Sequence, residues 1–166
     1  MPGENRSVRG FALGILLLAG CCGYSTRSLL PSHLKAVAVL PAANTTTQPG
    51  LAEALTDSLA AAFTADRTLR VTNTEAADLV VSTTVSNYSR TASSYTGDSV
   101  QAVSAYEVSV SAQVDVRDQT RNEQFYKGTA SARVSYDPNA KTEEQAAAEA
   151  IRKLASEIVR QVQITW

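Results

Sequence analysis

The chain has 166 residues, with 15 basic and 16 acidic side chains and a formal net charge of −1. That balance excludes a general nucleic-acid binder, which needs a basic face, and the length suits one domain. Hydrophobic residues make up 44% of the chain, much of that Ala and Val, enough for a packed core. In chain order, residues 1–10 carry Arg6 and Arg9, and residues 11–18 (FALGILLL) are almost wholly apolar before the small Ala19 and Gly20. Basic start, short apolar run and small residues are the order of a secretory signal. The run is too short to span a bilayer, which takes about 20 residues.

Leu18-Ala19-Gly20-Cys21 resembles the bacterial lipobox, in which the signal is cut before a cysteine whose thiol is diacylated. The resemblance implies a signal at residues 1–20 and a covalent diacylglycerol and N-acyl chain on Cys21, with no other cofactor. Cys22 fits the motif less well, because Ala19-Gly20-Cys21 precedes it. With Cys21 acylated, Cys22 has no partner for an intramolecular disulfide, so the fold must rest on packing.

Residues 21–33 read as a lipidated tether and 34–166 as one domain. KAVAVL at 35–40, stopped by Pro41, predicts a buried strand, followed by a polar loop over 42–50. Leu51, Leu55, Leu59 and Phe63 recur every four residues, the stripe of an amphipathic helix. Leu69-Arg70-Val71 is a short extended piece. Leu79 opens a longer strand with Leu79, Val81 and Val85 on one face, and 91–99 reads as its turn. Residues 100–117 alternate most clearly: Tyr106, Val108, Val110, Ala112, Val114 and Val116 face one way, and Glu107, Ser109, Ser111, Gln113, Asp115 and Arg117 the other. After a second turn at 118–123, the strand 124–136 places Tyr126, Gly128, Ala130, Ala132, Val134 and Tyr136 together, small enough mid-strand to admit a close helix backbone. Asp137-Pro138-Asn139 breaks it. Thr142 with Gln145 forms a capping box for a last helix whose stripe is Ile151, Leu154, Ile158 and Val162, with Arg152, Lys153 and Arg160 on its wet side.

The order is β-α-β-β-β-α. Two singly striped helices and a sheet with one apolar face predict an α+β two-layer sandwich, both helices on one side of a mostly antiparallel mixed sheet.

No catalytic constellation, phosphate loop or metal-ligand cluster is legible, so the chain reads as a binding protein and not an enzyme. His33, the lone histidine, reads as a surface residue of the tether with no carboxylate placed to use it. Glu143 and Glu144 read as complements to a helix dipole. Arg90, Arg117, Lys127 and Arg133, with Arg121 nearby, are the candidates for contact with anionic lipid or a partner.

Cys22-Gly23-Tyr24-Ser25, Leu34-Lys35-Ala36-Val37-Ala38-Val39 and Pro49-Gly50-Leu51 opening a helix resemble the LptE family of lipopolysaccharide-assembly lipoproteins. Ala76-Ala77-Asp78-Leu79-Val80, Val85-Ser86-Asn87-Tyr88-Ser89-Arg90 and the final helix over 143–162 extend the resemblance across nearly all of residues 21–166. It implies a protein on the periplasmic side of the outer membrane that plugs a large β-barrel, LptD, helps that barrel fold and assists lipopolysaccharide delivery. It also implies the two-layer sandwich. The chain departs from better-known enterobacterial members in lacking a strongly basic strand-and-loop surface. A different class, a lipoprotein cofactor that activates a periplasmic cell-wall enzyme, has a similar composition.

Overall fold

A computed structural model describes residues 30–96 and 102–164. The expected signal, Cys21, most of the tether and the tip of the 91–99 turn lie outside the described residues. β1 (Ala36–Val39) is the predicted apolar strand, and it ends before Pro41, which has no N–H to continue the ladder. The chain nevertheless stays beside the sheet: β2 (Ala43–Asn44) pairs parallel to residues 84–85, inside what reads by composition as a loop. Thr45 secures it, donating both its N–H and its hydroxyl to the Val85 carbonyl at 3.0 and 2.9 Å.

α1 (Leu51–Asp66) buries Leu51, Leu55, Leu59 and Phe63, the whole predicted stripe. It starts from Gly50 at φ 78, a left-handed conformation that glycine adopts without strain. β3 (Arg70–Val71) pairs parallel with β1. A 3-10 turn at Thr74–Ala76, capped by the Asn73 side chain, leads into β4 (Leu79–Thr96). β5 (Ala102–Asp118) and β6 (Glu123–Tyr136) complete an antiparallel meander. α2 (Glu143–Ile164) closes the chain. Its capping box forms as predicted: Gln145 N–H donates to Thr142 Oγ1 at 3.2 Å, and Thr142 N–H donates to Gln145 Oε1 at 3.1 Å.

The sheet order is β3-β1-β4-β5-β6, with β2 following β1 along β4. Both helices cover one face, so the fold is the predicted α+β sandwich of two helices on a mixed, mostly antiparallel sheet. Val108, Val110, Ala112, Val114 and Val116 are all buried beneath the helices. Their neighbours Glu107, Ser109, Ser111, Gln113, Asp115 and Arg117 lie on the uncovered face.

Two expectations are corrected. Residues 91–96 are strand and not turn, because Thr91 to Thr96 pair in sequence with Glu107 to Ala102. Ser and Thr are common in turns, but Thr also suits a pleated backbone, and ladder pairing decides the outcome. The room at Gly128 is filled by the Tyr126 ring, with which a Cβ there would collide, and not by helix backbone. That ring reaches across to α2, where its hydroxyl donates to Gln161 Oε1 at 2.7 Å.

Candidate functional site

The helix-free face of the sheet is a broad polar surface. Cross-strand pairing lines up Ser82, Asp115 and Lys127, then Thr84, Gln113 and Thr129, then Ser109 and Arg133. A shallow depression of about 310 Å³ sits among Ser82, Thr84, Gln113, Asp115, Lys127 and Thr129. Lys127 and Arg133 are exposed here, and Arg117 (73% exposed) lies 4.0 Å from Asp115. At such exposure that contact contributes little, so Arg117 stays available to an outside anion.

Arg90 does not join them. A register shift between Val85 and Asn87 inserts one residue into β4. Before it, odd-numbered residues face the helices; after it, Tyr88 and Arg90 do, opposite Val110 and Val108. Arg90 therefore lies on the other side of the sheet from Arg117, Lys127 and Arg133. Its guanidinium stacks 3.8 Å over the Tyr106 ring, and Nη1 lies 3.4 Å from Glu143 Oε2. Tyr106 in turn stacks on Tyr136, centroids 5.9 Å apart. Tyr88 hydroxyl donates to Glu143 Oε1 at 2.8 Å, and burial together with that carboxylate pushes its phenol well above the ordinary range. Glu143 is thus a link from α2 to the sheet as well as a helix-dipole complement. A groove of about 650 Å³ opens beside it, floored by Leu51, Ala54, Ala147 and Ile151. Tyr88, Tyr106, Tyr136 and Glu143 escape a reading of sequence alone. Only the Tyr106–Tyr136 pair could have been found, since a hairpin turning at 118–123 brings those positions opposite each other.

β4 and β5 also outrun their neighbours. β6 ends at Tyr136 opposite Tyr106, which also pairs with Ala92, so residues 93–96 and the strand paired to them extend beyond β6 as a two-stranded arm. Four residues at about 3.3 Å each make the described arm about 13 Å long.

At the opposite end, His33 is not a free surface residue. Its Nε2 lies 2.8 Å from Oδ2 of Asp118, a side chain only 2% exposed. Asp118 Oδ1 also accepts the N–H groups of Thr120 and Arg121 at 2.8 and 3.1 Å. Asp78 Oδ2 accepts those of Lys35 and Ala36 at 2.8 and 2.9 Å. Two aspartates thus clasp the segment that leads in from the N-terminus. Burial alone would raise the Asp118 carboxyl, but the His33 contact and the two N–H donors outweigh it and hold it below the ordinary value. A depressed folded pKa adds stability above the unfolded carboxylate's value of about 3.9 and loses it as pH falls through the folded value. Wild-type protein should therefore lose stability as pH drops below about 4, and Asp118→Asn should show a flatter acid limb. At neutral pH the same variant should be about 1–3 kcal/mol less stable. Urea melts from pH 2 to 7 measure both.

Among the described residues, no three His, Cys, Asp or Glu side chains group as metal ligands, and no helix is long and apolar enough to cross a membrane. The LptE family, described as Lipopolysaccharide-assembly, matches this chain over residues 34–162. No curated protein matches it. Solved structures of similar fold include a hypothetical protein from Chlamydia trachomatis, with TM-score 0.58 and 15% identity over 78% of this chain and 96% of that one. A PelC dodecamer from Paraburkholderia phytofirmans gives 0.52 and 14% over 80% and 90%. A minor lipoprotein from Acinetobacter baumannii gives 0.50 and 16% over 79% and 94%. At these identities the likeness concerns the fold.

Proposed function

This chain belongs to the LptE family of lipopolysaccharide-assembly proteins, and from that premise we propose that it is a lipid-anchored assembly factor of the outer membrane. Cys21 carries the diacylglycerol and N-acyl chain and holds the domain on the periplasmic side. The folded part plugs a large LptD-like β-barrel and assists lipopolysaccharide transport and insertion. Its role is assembly and not catalysis.

The observation that carries this reading is the uncovered sheet face. Among the described residues, one whole side of a six-stranded sheet is hydroxyl-rich, charged and free of any helix, and a two-stranded arm projects beyond it. Such a face neither encloses a small substrate nor invites aggregation, but it can lie against another polar wall such as a barrel lumen. Arg117, Lys127 and Arg133 stand on that face, where they can meet anionic groups of partner or lipid, whereas Arg90 is committed to Tyr106 and Glu143.

In-cell photo-crosslinking tests the reading. Probes at Ser109 on the open face and Asn122 in the β5–β6 turn should give one adduct with a large outer-membrane barrel. A probe at Arg152, on the wet side of α2, should not. Depletion of the lipoprotein should lower the assembled barrel several-fold. Adducts only with a cell-wall enzyme, at unchanged barrel levels, would replace this reading with that of an enzyme-activating lipoprotein.

A further inference from the structure

Among the described residues the sheet has two long free edges, and they differ. Beyond the end of β2, β4 has a free edge from residue 86 onward, and its ladder with β5 is interrupted by three register shifts. Irregular pairing of that kind twists an edge and discourages another strand from joining it. The outer edge of β6 has no such guard. From Tyr126 to Tyr136 its register with β5 is unbroken, and the strand contains no proline.

Which backbone groups face outward on β6 follows from bonds at the other side of the sheet. The carbonyls of Val81 and Val85, both core-facing in β4, accept from Leu40 and Thr45 on the β1–β2 side. Core-facing residues of β4 therefore turn their backbone groups away from β5. The sense reverses with each antiparallel step, so core-facing residues of β5 turn toward β6, and those of β6 turn back toward β5. The open-face residues Lys127, Thr129, Ser131, Arg133 and Ser135 are left with their N–H and C=O groups directed away from the sheet. Lys127 and Arg133 flank this stretch on the same face, six residues or about 20 Å apart.

We propose that the outer edge of β6 receives an extended, acidic segment of the protein partner as an additional strand, bonded along Lys127 to Ser135, with two carboxylates about six residues apart meeting Lys127 and Arg133. The backbone edge supplies affinity without regard to sequence, and the two cations select the partner and fix its register. This rests on the assembly reading for the existence of a protein partner and specifies how that partner is held.

Proline substitution separates edge from fold. Thr129→Pro and Ser131→Pro delete outward N–H groups, which an edge strand tolerates, whereas Ala132→Pro deletes an inward one and should unfold the domain. The full lipoprotein, with a photo-crosslinker at Ser109, would be expressed in its own envelope in each background. Thr129→Pro and Ser131→Pro should melt within a few degrees of wild type yet yield at least tenfold less partner adduct. The charge reversal Lys127→Glu with Arg133→Glu, a surface change that keeps the fold, should act the same way. Wild-type adduct levels in these folded variants would overturn the edge proposal and leave the assembly reading standing. An adduct formed with a second copy of this chain would also overturn it. No adduct from wild type at Ser109 or Asn122 would remove both.

Discussion

Val110→Asp should abolish folding. Val110 is fully buried between the sheet and the helix layer, flanked by Tyr88 on β4 and Ala132 on β6. No basic side chain is buried in that layer among the described residues. An isolated carboxylate there costs several kcal/mol, or must take up a proton to avoid that cost. Domains of this size hold about 5–15 kcal/mol in all, so the loss is of the same order as the total. Ser111→Asp, one residue on, places the same group on the open face and should stay within about 0.5 kcal/mol of wild type. Circular dichroism and a urea melt of the pair measure the contrast. Similar losses in both would mean that the two faces of β5 are not energetically distinct.

Cys21→Ala should release the protein from the membrane. On the proposed processing, the cysteine carries a diacylglycerol and an N-linked acyl chain, and each buried methylene contributes about 0.8 kcal/mol to anchoring. One chain holds a protein only reversibly; several hold it stably, so removing them all should shift the protein from the membrane fraction to the soluble one or leave an unprocessed precursor. Fatty-acid labelling should vanish in Cys21→Ala and persist in Cys22→Ser. Undiminished label in Cys21→Ala would exclude that residue as the anchor.

The local periodicities were legible from the residues. Alternation over 106–116 gave the buried face of β5, four-residue spacing gave the stripe of α1, and Thr142 with Gln145 marked the start of α2. Each of these is settled by neighbours within a turn or a pleat. What stayed hidden depends on distant partners. Asp118 lies 85 positions from His33, so nothing near either residue announces the clasp. Arg90 looked equivalent to Arg133 because the inserted residue that sends it to the opposite face leaves no compositional mark. β2 was missed for the same reason: two residues after a proline carry no periodicity, and only the waiting edge of β4 makes them a strand. The lipid-bearing residue and the contact residues were proposed from motif and charge, and the experiments above decide their roles.

The clasp at Asp78 and Asp118 also has a mechanical side. It fastens the incoming chain at the end of the sheet where β1 and β4 begin, while the arm stands at the far end of β4. If a membrane anchor pulls on the first and a partner grips the second, tension runs along the strands. β1 lies between β3 and β4, so it cannot be peeled away one bond at a time; its lateral bonds bear the load together, in shear. The fold would then resist stretching between bilayer and partner far better than the same number of bonds pulled crosswise.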